Sequence, residues 1–181
     1  MAVAYVVIDN HLHLQVESCP LLSDGRIRLP PKLTGELAMY DFLDRPVTGL
    51  DHGGRFLIWS MRSWVKAMGE RQCPGGVLGA AFARWRMIAG LQPFLRMMAL
   101  FNHSGLETFQ FCALACNHVS EHEAIILSLV CALRDERPEA LRDTLALLIE
   151  EDCIGDLLAV LAALGRVMDE AAIWPGRPVS A

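Results

Sequence analysis

The segment from Glu121 to Arg134 most constrains the fold of this 181-residue chain, because it predicts a helix that is apolar on nearly every side. The pattern Ser120-Glu-His-Glu123 is typical of a helix start, since the Ser hydroxyl and the Glu carboxylate can each satisfy a backbone N–H. A helix without a polar face has to be covered by other elements. We therefore predict that this helix lies buried at the centre of a helical domain.

The remaining periodicity predicts a mainly α fold, a bundle of about six or seven helices. Pro and Gly groups separate the helical segments, and short connections favour antiparallel neighbours. Besides 121–134, apolar residues recur at helical spacing in 34–43, 55–69, 77–89, 91–101, 138–148 and 154–172.

The first thirty-one residues predict β structure instead. Apolar and polar residues alternate between Leu12 and Glu17 and again between Arg26 and Leu29, with a turn signal at Asp24-Gly25. We expect residues 1–31 to form a β-hairpin or small antiparallel sheet attached to a helical domain at 32–174. Residues 175–181 are expected to be a loose C-terminal tail.

Composition favours an interaction partner over a membrane. Hydrophobic residues make up 53% of the chain and charged residues only 20%, but no apolar run approaches the roughly 20 residues that a bilayer-spanning helix needs. We expect the surplus apolar surface to be buried in a homodimer or against another protein. The six cysteines are scattered and the N-terminus lacks a basic signal region, so we expect free thiols and a cytoplasmic location.

A cluster of four potential metal ligands occupies residues 112–122: Cys112, Cys116, His118 and His122. Thiolate and imidazole are the ligands that Zn²⁺ prefers. On one continuous helix the two Cys and the two His would face directions about 200° apart, so a shared metal requires a chain break between 117 and 120. The alternative interpretation has the two Cys as small core residues and the two His as polar residues at a helix start.

A second histidine pattern, Asp9-x-His11-x-His13, resembles the first metal motif of the amidohydrolases. The resemblance implies two metal-binding His at the end of the first strand of a (β/α)₈ barrel of roughly 250 residues. It covers only these residues, and the chain turns helical after residue 31. We therefore expect both His on the solvent-facing edge of a strand.

One helical stripe suggests an alternative function in nucleic-acid binding. Basic side chains with an interleaved aromatic suit a phosphate backbone and a stacked base, although the net charge of the chain is -5. The outer face of an ordinary amphipathic helix explains the pattern as well. The stripe consists of Arg55, Trp59, Arg62 and Lys66.

Charge is divided unevenly along the chain. Residues 45–104 contain eight Lys and Arg against Asp51 and Glu70, whereas 105–172 contain thirteen Asp and Glu against four Arg. Such a split would orient two subunits head to tail or reserve one face for an anionic partner, or it reflects two ordinary solvated surfaces. No P-loop, G-x-S-x-G, dinucleotide fingerprint or H-E-x-x-H motif occurs, so the sequence favours a binding or regulatory module over an enzyme.

Overall fold

The computed structural model describes residues 4–8, 14–18, 41–135 and 138–177. The described chain is mainly helical, which confirms the predicted class. None of its helices has the length and apolar character that crossing a bilayer requires. The six α-helices are α1 (His52–Gly69), α2 (Pro74–Arg84), α3 (Leu91–Ser104), α4 (Glu121–Asp135), α5 (Pro138–Leu145) and α6 (Glu151–Glu170).

Three short strands accompany the helices: β1 (Ala4–Ile8), β2 (Leu14–Ser18) and β3 (Gln110–Cys112). β1 pairs antiparallel with both of the others, so that Val6 lies opposite Val16 and Phe111. The predicted strand at 26–29, both His of the amidohydrolase-like motif and most of the predicted helix at 34–43 lie outside the described residues. The last three residues of that predicted helix, 41–43, form a turn. The division into an N-terminal appendage and a helical domain stays a prediction.

The helices are arranged in layers, with α2 and α5 at opposite ends. α2 packs against α1 and α3, α1 and α3 in turn contact α4 and α6 respectively, and α5 packs against α4 and α6. Rings of Phe56, Phe82 and Phe94, with successive centroids 4.9 and 5.4 Å apart, join α1, α2 and α3. The apolar face of α4 is buried as predicted, including Ile126 and Leu129.

The start of α1 and the C-terminal segment are held together by one aspartate. Oδ1 of Asp51 accepts the N–H of Gly54 at 2.7 Å and caps the helix, which begins three residues before the predicted start. Its Oδ2 accepts the N–H of Gly176 at 2.5 Å, and Pro175 is buried. This part of the predicted tail is therefore not loose.

Candidate functional site

The guanidinium group of Arg62 is the centre of the candidate site, because α1 places it inside the protein. Arg62 is only 3% exposed. Its Nε donates to Oε1 of Glu123 at 2.7 Å and Nη2 donates to Oε2 at 2.9 Å. The other N–H groups donate to three backbone carbonyls at 2.5–3.2 Å. Because arginine has five N–H donors, this environment satisfies all of them. The three carbonyls belong to Ala113, Cys116 and His118.

Glu123 completes this arrangement from the first turn of α4, where it is fully buried. Besides Arg62, its oxygens accept the N–H of Cys112 at 3.2 Å and the N–H of Ser120 at 2.9 Å. The bond to Ser120 is the Glu half of the predicted capping box, while the Ser120 hydroxyl donates to the carbonyl of Gln110 at 3.3 Å. Each carboxylate oxygen therefore accepts two hydrogen bonds.

The surroundings of Arg62 keep its guanidinium group charged. Burial lowers the pKa of the Arg62 guanidinium, but the hydrogen bond to Glu123 and its negative charge outweigh burial, so that the pKa lies above its usual range. A buried pair whose hydrogen bonds are all made is costly to break. The pair and the three carbonyls fix the path of residues 112–120 across α1.

The buried position of Arg62 contradicts its predicted place in the exposed stripe suggested for nucleic-acid binding. The sequence placed its side chain on the outer face of α1, whereas the chain between β3 and α4 covers it. Arg55, Trp59 and Lys66 are exposed, and Lys66 pairs with Glu70 at 2.5 Å. The sequence held only a weak signal: Glu123 directly precedes the apolar stretch that begins at Ala124, and a carboxylate that is buried with such a stretch needs a cationic partner.

The chain break that a shared metal would require is present, because β3 ends at Cys112 and α4 begins only at Glu121. The side chains of the four predicted metal ligands nevertheless differ in their exposure and in their hydrogen-bond partners. Cys112 is buried, the Cys116 thiol donates to the carbonyl of His118 at 3.7 Å, and the side chain of His118 is exposed. His122 accepts the N–H of Gln110 at Nδ1 at 3.2 Å, and its Nε2 lies 3.4 Å from Glu107. Across the described ranges, no three or more Cys, His, Asp and Glu side chains are placed to hold a metal ion. Zinc binding stays a prediction.

The thiol of Cys112 is expected to be protected from alkylation in the native protein. Burial raises the pKa of this thiol, and the charge of Glu123 and the hydrogen bond with Cys116 raise it further. Iodoacetamide at mildly alkaline pH should modify the exposed Cys73 well before Cys112, as followed by peptide mass spectrometry. In denaturant both should react, and equal native rates would contradict the buried environment.

The same shift has a consequence for stability. The pKa of the Cys112 thiol is higher in the folded than in the unfolded chain. The protonated thiol of Cys112 therefore makes its full contribution to the free energy of unfolding below the ordinary thiol pKa of about 8.5. That contribution is lost as the pH rises above this value.

Two oppositely charged surfaces lie away from this buried pair. We define the cationic end as residues 71–90, which contain Arg71, Arg84 and Arg86 and no carboxylate. We define the acidic end as residues 138–152, which contain five carboxylates and Arg142. Both carry exposed charged side chains in the part of the chain that the structure describes.

Comparison with known proteins identifies no relative: no protein-family model, curated protein or solved structure matches the chain. Its function is therefore inferred from its own residues and contacts.

Proposed function

We propose that this protein is a helical binding module that acts through protein–protein contacts and associates with itself, with the cationic end as its binding surface. The observation that carries the proposal is that this short segment of the chain exposes several large apolar side chains. Val77 is 42% and Ile88 57% exposed, and the partly exposed Trp85 lies between them in sequence. Exposed apolar side chains together with Arg residues that lack a described ion-pair partner favour an interface with another protein.

The chemistry of the cationic end resembles the anatomy of protein interfaces. An apolar centre with a polar rim excludes water from the contact, and Trp and Arg are enriched among the residues that dominate binding energy. Trp85 is held in place, since its ring centroid lies 5.7 Å from that of the buried Phe56. No described carboxylate forms an ion pair with Arg84 or Arg86. These two side chains are therefore available to a partner.

The proposal places the protein in the cytoplasm and does not extend to nucleic acid. The five described cysteines are free thiols, as a reducing compartment favours. Of the stripe suggested for nucleic acid, Arg62 is committed to Glu123 and Lys66 to Glu70. Arg55 and Trp59 alone make a small surface for a phosphate backbone.

Replacing Val77 and Ile88 together by glutamate should abolish self-association, because the change puts carboxylates into an apolar contact. Sedimentation velocity at micromolar concentration should show an assembled wild type and a monomeric variant. The matched control is Leu114→Glu, which changes another exposed apolar residue outside the cationic end and should leave the assembly intact. A monomeric wild type, or a variant that assembles like the wild type, would contradict the proposal.

A further inference from the structure

We infer that the cationic end binds the acidic end of a second copy of this chain, so that the molecules associate head to tail. This inference rests on the proposed function and identifies the partner of the same surface. It differs from a symmetric dimer, in which the cationic ends of two copies would face each other.

Charge complementarity is the first argument. From Arg71 to Ser104 the chain contains four Arg and no carboxylate. In the acidic end, by contrast, five carboxylates are exposed, and none of them forms an ion pair with a described residue. Opposite potentials favour association of these two surfaces, whereas like charges brought face to face repel. A symmetric contact between two cationic ends would bring two surfaces of the same charge together. The five carboxylates are Glu139, Asp143, Glu150, Glu151 and Asp152.

Apolar complementarity is the second argument. The acidic end has its own exposed apolar residue, Leu147, at 57% exposure, and Leu106 is 58% exposed. The two belong to adjoining segments, because the N–H of Leu106 donates to the carbonyl of Leu148 at 2.9 Å. This leucine group lies in or beside a mainly acidic segment, and Val77 and Ile88 lie in a segment whose charged residues are all Arg. Each end therefore offers exposed apolar side chains to the other.

The position of the two ends in the fold is the third argument. α3 begins directly after the cationic end, and the carbonyl of its last residue, Ser104, accepts the N–H of Glu150 in the acidic end at 2.9 Å. A helix of 14 residues is about 21 Å long, so α3 separates the two surfaces. α2 and α5 also occupy opposite layers of the bundle. Two different surfaces on opposite sides form a heterologous contact, which propagates into rings or open chains.

The test uses two charge-reversal variants of the full chain. The cationic-end variant is Arg84→Glu with Arg86→Glu, which changes the net charge of that end from +3 to -1. The acidic-end variant is Asp143→Lys with Glu150→Lys and Asp152→Lys, which changes the net charge of that end from -4 to +2. Each alone should associate on the order of tenfold more weakly or worse. An equimolar mixture should assemble again, because every contact between unlike variants joins opposite charges. Arg166→Glu is the control, since this exposed residue lies outside both ends and its reversal should leave assembly unchanged.

The outcomes separate this inference from the proposed function. An acidic-end variant that assembles like the wild type would overturn the head-to-tail contact and leave self-association through the cationic end standing. Monomeric variants that stay monomeric after mixing would also overturn it. A monomeric wild type would overturn both. Circular dichroism shows whether each variant is folded. If a variant is not folded, the association of the wild type is measured at increasing salt concentrations instead. This association should weaken steeply with salt, and association that does not depend on salt would overturn the inference.

Discussion

Replacing Glu123 with alanine should lower the free energy of unfolding by about 3–5 kcal/mol, the cost of leaving a buried charge without its partner. The variant removes both acceptors of the Arg62 ion pair and leaves the N–H groups of Cys112 and Ser120 without their carboxylate. Urea denaturation followed by circular dichroism measures the loss. Hydrogen exchange should show faster exchange at the amides of Cys112 and Ser120.

Glu70→Ala is the matched control, because it breaks an ion pair of the same chemical type on the surface of α1. The side chains of Lys66 and Glu70 are 55% and 46% exposed, and exposed pairs contribute at most about 1 kcal/mol. If the two variants lose similar stability, Glu123 does not have the structural role that its contacts indicate.

A double replacement of Arg62 by methionine and Glu123 by leucine should not restore stability. Apolar residues can replace a buried ion pair without loss of stability when the two side chains form hydrogen bonds only with each other. Here the guanidinium also binds the carbonyls of Ala113, Cys116 and His118, and these acceptors would lose their partner. A double variant as stable as the wild type would show that the three carbonyls find other donors.

The sequence predicted the local features of this site and missed the pairing that organises it. The start of α4 and the break before it follow from Ser120 and Glu123, because capping is an interaction between residues three positions apart. The partner of Glu123 lies 61 residues away on α1, and helical periodicity carries no information about which loop covers a given side chain. Periodicity alone therefore predicts that Arg62 belongs to the solvent-facing stripe.

The same distinction explains the metal cluster and the charged ends. The spacing of the Cys and His residues predicted a break but not where each side chain would point, and His122 forms contacts with Gln110 and Glu107. The charge asymmetry was visible in the sequence. Its division between opposite ends of α3 required the layer order of the helices, which depends on long-range packing such as that between Phe82 and Phe94.

Replacing Gly53 with alanine should lower the free energy of unfolding by about 3 kcal/mol, at the upper end of the usual cost of overpacking. Gly53 lies in the first turn of α1, where the C-terminal segment passes over it. An added Cβ would overlap the carbonyl oxygen of Ile173 and would lie 2.8 Å from backbone atoms of Trp174 and Pro175. Backbone atoms cannot rotate away as a side-chain end can, so the segment has to move as a unit.

Gly53→Ala should increase hydrogen exchange mainly in the C-terminal segment that packs on α1. Displacing the segment removes the bond from Gly176 to Asp51, so the Gly176 amide should exchange faster with solvent, while amides in the middle of α4 keep their protection. Gly155→Ala is the control: Gly155 is exposed on α6 with no atom near the position of an added Cβ, and alanine there should stabilise the helix by about 0.5–1 kcal/mol. Opposite signs for the same substitution would show that close backbone approach, and not helix propensity, requires glycine at position 53. Stabilisation by both variants would contradict the packing of the C-terminal segment on α1.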